Sequence, residues 1–99
     1  MMLDSRRFAK RVLSLEHEMK FEPGELVMYI ESFRGYVKTT GGTRYAMSVD
    51  DTPSVAGVPI DSVMLVVSQA PFHKNSLIVW TPVGMVREVQ QLLVPVTAL

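Results

Sequence analysis

The sequence predicts a single small domain that is mostly β-structure, preceded by one amphipathic helix. Three observations predict this class: apolar residues recur at helical spacing near the N-terminus, a period-two pattern begins at Glu25, and short apolar runs separated by turn residues fill the second half. With 99 residues, of which 47% are hydrophobic, the chain has room for one modest core. We therefore expect one domain over residues 1–99, with a helix at 1–21 and a β-rich part at 22–99.

The N-terminal helix is predicted by an apolar stripe. Four residues spaced four, three and four apart share one helix face: Phe8, Val12, Leu15 and Met19. Pro23 cannot continue a helix, and it biases the residue before it away from helical dihedrals. We expect a helix over residues 5–20 whose stripe packs on the chain's own β-rich part.

The same helix carries a basic N-terminal half that is a candidate partner-binding surface. Four cations lie there: Arg6, Arg7, Lys10 and Arg11. Glu16 and Glu18 lie nearer the C-terminus, which is the reverse of the order that the helix dipole favours. An anionic partner surface would explain this order. A solvated basic face, partly relieved by the pair of Glu16 with Lys20, is the alternative that stays open.

The first half of the β-rich part contains one strand and a predicted hairpin. Side chains whose predicted orientation alternates with a period of two, together with a higher content of β-branched and aromatic residues, predict a first strand at residues 25–30. Gly41 and Gly42 can supply the positive φ that a tight turn needs, so we predict a hairpin over residues 36–49. Residues 32–59 are accordingly expected to form one long loop with this hairpin inside it.

Further strands are predicted in the second half, where three short runs are rich in β-branched residues: 63–67, 76–81 and 85–89. Residues 70–75 form a loop between the first two of them, and residues 82–84 form a tight turn between the last two. A single 3₁₀ turn at 90–93 precedes a last strand at 94–96, which Pro95 restricts to a sheet edge.

One core is expected to unite the apolar positions of these strands. Its predicted members are Leu26, Met28, Met64, Val66, Ile78, Trp80, Val86 and Val89. Trp80 is expected to have a structural role there, because a lone tryptophan in a strand of a small barrel usually packs against the core or a docked helix.

The order of these elements resembles the Src-homology-3-like small barrels. A strand opened by Pro-Gly-Glu-Leu-Val is followed by a long loop, two strands around a shorter loop, a tight hairpin, a 3₁₀ turn and a brief last strand. The resemblance covers residues 22–96 and implies a small barrel with the predicted hairpin inserted in its long first loop. Residues 21–27, 62–67 and 79–89 also look like small proteins of tailed bacteriophages and like barrels attached to transcription and translation factors. The likeness favours a binding function but specifies no partner.

The sequence shows no spacing of residues that is typical of a catalytic site. His17 and His73 are not coupled by spacing to a second histidine or to paired carboxylates, and the chain has no cysteine. We expect no enzymatic activity, no cofactor, no metal site and no small-molecule substrate. The longest uninterrupted apolar run is far shorter than the ~20 residues of a membrane span, so we expect a soluble, unprocessed protein that does not bind membranes.

Loop aromatics complete the candidate partner-binding surface: Phe33, Tyr36 and Phe72. Loops that carry such groups are often contact surfaces, although small barrels also use them to plug their open ends. Our hypothesis is a non-enzymatic protein–protein interaction module, a phage-encoded structural or accessory component of a larger assembly such as a virion. Its partner is another protein or a second copy, and its location is the host cytoplasm or the virion.

The alternative is a nucleic-acid-binding regulatory protein that uses the basic helix face. Ten basic and ten acidic residues give a formal net charge of zero, so this function would require a local basic patch.

Overall fold

The computed structural model of the protein describes residues 21–49 and 54–98. Within these ranges the chain is mostly β-structure, as predicted, with seven antiparallel strands in one open sheet and one α-helix. The predicted N-terminal helix, with its apolar stripe and its four basic residues, lies outside the described residues.

The strands occur in chain order as β1 (Leu26–Tyr29), β2 (Thr43–Ser48), β3 (Val55–Pro59), β4 (Met64–Gln69), β5 (Ser76–Thr81), β6 (Gly84–Val89) and β7 (Leu93–Pro95). Helix α1 (Glu31–Thr40) lies between β1 and β2, and 3₁₀ turns at Gln90–Leu92 and Val96–Ala98 flank β7. The order across the sheet is β3-β2-β6-β5-β4-β1-β7. The predicted tight β5–β6 turn, the 3₁₀ turn and the edge position of β7 are therefore confirmed.

The predicted hairpin around Gly41 and Gly42 is wrong, because its first strand is part of α1. The two glycines end this helix with φ angles of 146° and 86°, a left-handed region that glycine enters without the steric cost of a Cβ. The amide of Gly42 donates to the carbonyl of Val37 at 2.7 Å and closes the last turn. The β-branched residues that suggested a strand are accommodated because Thr39 and Thr40 donate their hydroxyls to carbonyls one turn earlier.

The hairpin in this part of the chain is instead formed by β2 and β3. Their register runs from Thr43 opposite Pro59 to Met47 opposite Val55. Residues 32–59 thus contain most of a helix and a hairpin rather than a long loop with a hairpin at its centre. Sequence periodicity missed α1 because its inward face is short: Val37 is buried and Phe33 packs partly buried against the core.

The core lies on one face of the sheet, which we call the inner face. Its buried residues are Phe21, Val27, Tyr29, Val37, Ala46, Val58, Ile60, Met64, Val66, Leu77, Val79, Val86 and Leu93. The predicted core positions Met64, Val66 and Val86 are confirmed. Ile78 is also buried, but on the outer face, and Met28 is half-buried.

Three predicted core residues are wrong: Leu26, Trp80 and Val89 are exposed by 49%, 52% and 38%. In β1 the inward residues are Val27 and Tyr29, and a one-residue shift of phase moves every side chain of a strand to the other face. The same shift explains Trp80, because its neighbour Val79 points inward. Val89 and Val86 are three residues apart, and a period of two cannot place both on one face.

The sheet curls strongly around its inner face. Strands β1 and β6 are separated by two strands, which would place them about 14 Å apart in a flat sheet. Nevertheless the hydroxyl of Tyr29 on β1 lies 2.7 Å from the carboxylate of Glu88 on β6. Because both side chains project from the inner face, this contact shows that the sheet curves between β1 and β6. Closure into a Src-homology-3-like barrel stays a prediction.

Candidate functional site

The inner face contains a buried cluster of charged and polar groups centred on Glu88. The Glu88 side chain is fully buried, and Arg44 binds it bidentately, with Nη2 2.6 Å from Oε1 and Nε 2.9 Å from Oε2. Tyr29 donates its hydroxyl to Oε2 at 2.7 Å, and the amide of Val89 donates to Oε1 at 2.9 Å. Four donors thus compensate the carboxylate for the water that it has lost.

Phe33, one of the predicted partner-contact residues, covers this cluster. The centre of the Arg44 guanidinium lies 5.6 Å from the centroid of the Phe33 ring, and the Tyr29 ring centroid lies 5.5 Å from it. The ring under the guanidinium favours the cation electrostatically, while 28% of the Arg44 side chain stays exposed. Partner binding by Phe33 stays a prediction, whereas its place over the ion pair is a packing role.

The pKa values of Tyr29 and Arg44 shift upward, in the direction that keeps both groups protonated. Burial, and then the charge of Glu88, raise the pKa of Tyr29 far above its usual value near 10.0, so the phenol keeps the proton that it donates. The hydrogen bond to Glu88 raises the pKa of Arg44, which keeps the guanidinium charged. The cluster therefore links β1, β2 and β6 across the inner face of the sheet.

A pH dependence of stability follows from the Tyr29 pKa. Below pH about 10 both folded and unfolded chains carry the phenolic proton; above it only the folded chain keeps it, and the free energy of unfolding falls by about 1.4 kcal/mol per pH unit from this group. We expect Tyr29→Phe to remove that contribution. Urea denaturation of both proteins at stepwise rising pH measures the two slopes. Equal slopes above pH 10 would contradict the prediction.

A small groove of about 270 Å³ opens on the outer face beside the β4–β5 loop. Met47 lines one side of it, Pro71 and Phe72 of the loop line another, and Ile78 on β5 also contributes. The volume lies slightly below the range of about 300–1,000 Å³ that is typical of small-molecule sites. A second depression of about 530 Å³ shares Pro71, Phe72 and His73 with this groove.

Phe72 has an unusual position at this groove. Its side chain is fully exposed, and its φ of 65° lies in the left-handed region. A residue with a Cβ pays roughly 1–2 kcal/mol to adopt that conformation, and a bulky one rarely does so. Beside it, the Nη1 atom of Arg87 lies 2.9 Å from Nε2 of His73. A guanidinium can only donate, so the His73 nitrogen accepts and the pair forms a polar rim.

A second outer-face feature is a row of apolar side chains that crosses four strands. Register places Leu26 opposite Leu65, Leu65 opposite Trp80, and Trp80 opposite Met85. We call Leu26, Leu65, Trp80 and Met85 the apolar row. The first three are exposed, although each belongs to a residue type that is normally buried or half-buried.

The predicted partner-binding residues are not brought together by the described structure. Phe72 lies at the groove, Phe33 covers the ion pair, and Tyr36 is exposed on α1. The basic residues Arg6, Arg7, Lys10 and Arg11 lie outside the described residues. Sequence reasoning missed the groove residue Met47 and the apolar row. A signal for the row was present, since residues 63–67 are apolar on both faces of β4 and β4 has only one core face.

Over residues 21–49 and 54–98, no group of three His, Asp or Glu side chains is placed to hold a metal ion. In the same part of the chain no helix has the length and apolar character needed to cross a membrane. No family model matches the sequence, and neither the curated proteins nor the solved structures contain a match to it.

Proposed function

We propose that the protein is a non-enzymatic protein–protein interaction module that binds its partner at the groove, with Phe72 as the central contact. The observation that carries this proposal is the combination of full exposure and a left-handed backbone at Phe72. The left-handed backbone costs stability, and the fully exposed ring gains no burial in the fold to offset that cost; strained residues are concentrated at functional positions such as ligand-binding sites. Aromatic residues are also enriched among the residues that dominate binding energy at protein interfaces.

The residues that line the groove indicate which chemical groups the partner contributes. An apolar group of the partner packs in the groove between Met47 and Ile78, while the Phe72 ring packs against the same partner from the loop. Arg87 and His73 supply hydrogen-bonding groups at the rim, and the remaining guanidinium donors of Arg87 suit a carbonyl or carboxylate of the partner. An apolar centre with a polar rim is the usual anatomy of a protein interface.

Assembly into a larger structure is the second part of the proposal. A formal net charge of zero lowers colloidal stability, and seven methionines provide adaptable apolar surface. Together with the resemblance to small proteins of tailed bacteriophages, these features support a structural or accessory component of a larger assembly such as a virion. The partner is then another protein of that assembly or a second copy, located in the host cytoplasm or the virion.

Replacing Phe72 by asparagine tests the proposed contact. Because Asn enters the left-handed region more readily than Phe, we expect the Phe72→Asn protein to be about 1 kcal/mol more stable in urea denaturation. We also expect it to lose capture of the protein that the unmodified chain retains from its native source. The matched control is Val83→Asn in the β5–β6 turn, another exposed apolar residue, which should keep that capture.

Two outcomes would contradict the proposed function. One is equal protein capture by the Phe72→Asn and Val83→Asn chains. The other is retention of nucleic acid whose binding falls steeply with rising salt, because release of counterions from phosphates would then identify the regulatory alternative.

A further inference from the structure

We propose that the N-terminal stripe of Phe8, Val12, Leu15 and Met19 packs on the apolar row of the outer face and covers Trp80. This inference concerns a surface separate from the groove, and it does not depend on the proposed function. It names residues 1–20 of the same chain as the occupant of the row.

The apolar row forms a continuous surface of suitable length. Its four residues are neighbours in register on β1, β4, β5 and β6, so the row crosses three strand intervals, about 14 Å. Val63, which is exposed near the start of β4, widens it and lines a shallow depression together with Leu26, Leu65 and Trp80. A helical stripe from Phe8 to Met19 is about 17 Å long. The two apolar surfaces are therefore similar in extent.

The inner face cannot accommodate the stripe because the described residues already fill it. Val27 and Tyr29 on β1 are fully buried there, and Met64 and Val66 on β4 are 1% exposed. A further helix on this face would have to displace packed core side chains, which costs stability. The outer face of the same strands instead exposes leucine and tryptophan, and covering them removes apolar surface from water.

The connection to Phe21 holds the stripe near these strands. Phe21 is buried in the core, and the turn after it is bonded to β4: Gly24 donates to the Val66 carbonyl at 2.7 Å, and Val66 donates to Glu25 at 2.9 Å. Met19 precedes Phe21 by only two residues, so its Cα lies within about 7 Å of the Phe21 Cα. The end of the stripe is therefore tethered beside β4, the strand that carries Leu65. Because the Phe21 side chain packs in the core of the inner face, the proposed docking requires the chain between Met19 and Phe21 to pass the start of β1 and reach the outer face.

The same tether favours this chain's own segment over a second copy as the occupant. A short link gives the stripe an effective concentration in the millimolar range at its own sheet. A second copy in a micromolar solution competes at a concentration about a thousandfold lower. Intramolecular docking therefore prevails unless the two modes differ strongly in contact quality.

Fluorescence of the full chain tests this proposal, because Trp80 is the single tryptophan and lies in the apolar row. Leu15→Glu places a charge in the stripe, and Ser14→Glu makes the same addition one position away, outside the stripe. We expect Leu15→Glu to shift the Trp80 emission to longer wavelength and to increase its quenching by acrylamide. The Ser14→Glu protein should match the unmodified chain in both measurements.

Two further measurements keep the test decisive. Val12→Ser is a milder change in the stripe, and it should shift the emission in the same direction if Leu15→Glu does not fold, as judged by far-ultraviolet circular dichroism. Light scattering over a range of concentrations identifies where the unmodified chain is a monomer. At those concentrations its Trp80 emission should be the same as at higher ones. The proposal is overturned if folded stripe variants leave Trp80 unchanged, or if dilution alone exposes Trp80 by separating two copies.

Discussion

Replacing Arg44 by methionine is expected to lower the free energy of unfolding by about 3–5 kcal/mol, because it leaves the Glu88 carboxylate buried without its cation. Glu88 would keep only the hydrogen bonds from Tyr29 and the Val89 amide. Urea denaturation measures the loss. The control is Lys38→Met on α1, whose ion pair with Asp61 is more than half exposed and should contribute less than about 1 kcal/mol.

Replacing Arg44 together with its two partners separates the effect of an unpaired charge on stability from the effect of altered packing. Arg44→Met together with Glu88→Leu and Tyr29→Phe leaves no unpaired charge or hydroxyl, so we expect the triple variant to recover most of the lost stability. If the triple variant lost as much stability as the three single variants together, the cluster would not act as a unit. A loss below about 1 kcal/mol for Arg44→Met alone would mean that water reaches Glu88.

Replacing Leu77 by alanine is expected to cost about 2–5 kcal/mol, because its side chain is fully buried on the inner face of β5 and leaves a cavity. Val55→Ala on the edge strand β3 is the control. Val55 is 54% exposed, and its truncation should change stability by about 0.5 kcal/mol or less. The measurement is again urea denaturation with a shared m-value. Similar losses at both positions would show that the inward face of β5 is assigned wrongly.

Local signals located most of the strands, and tertiary packing determined which of their faces is buried. β5 has apolar residues on both faces, so alternation could not decide between Leu77 with Val79 and Ile78 with Trp80. The answer depends on which face the curled sheet encloses. Glu88 could not be recognised as a core residue for the same reason, since its burial requires Arg44 and Tyr29, which are far from it in the sequence.

The candidate site was also predicted only in part from the sequence. Phe72 was predicted as a partner contact from sequence, because an apolar aromatic residue in a loop is a common feature of contact surfaces. The groove beside it could not be predicted, because Met47 reaches it from β2 and Ile78 from β5. Phe33 shows the reverse case: the loop expected around it is α1, and its ring lies over an ion pair.

By itself the sequence determined the mostly-β class, the 3₁₀ turn after β6 and the edge position of β7, because proline, glycine and β-branched residues restrict the backbone locally. The tertiary structure alone decided that residues 31–40 form a helix, that Trp80 faces outward and that Glu88 is buried as a carboxylate. These three outcomes depend on contacts between residues far apart in the chain. Breaking a buried ion pair costs about 3–5 kcal/mol, whereas local propensities distinguish a helix from a strand by tenths of a kcal/mol.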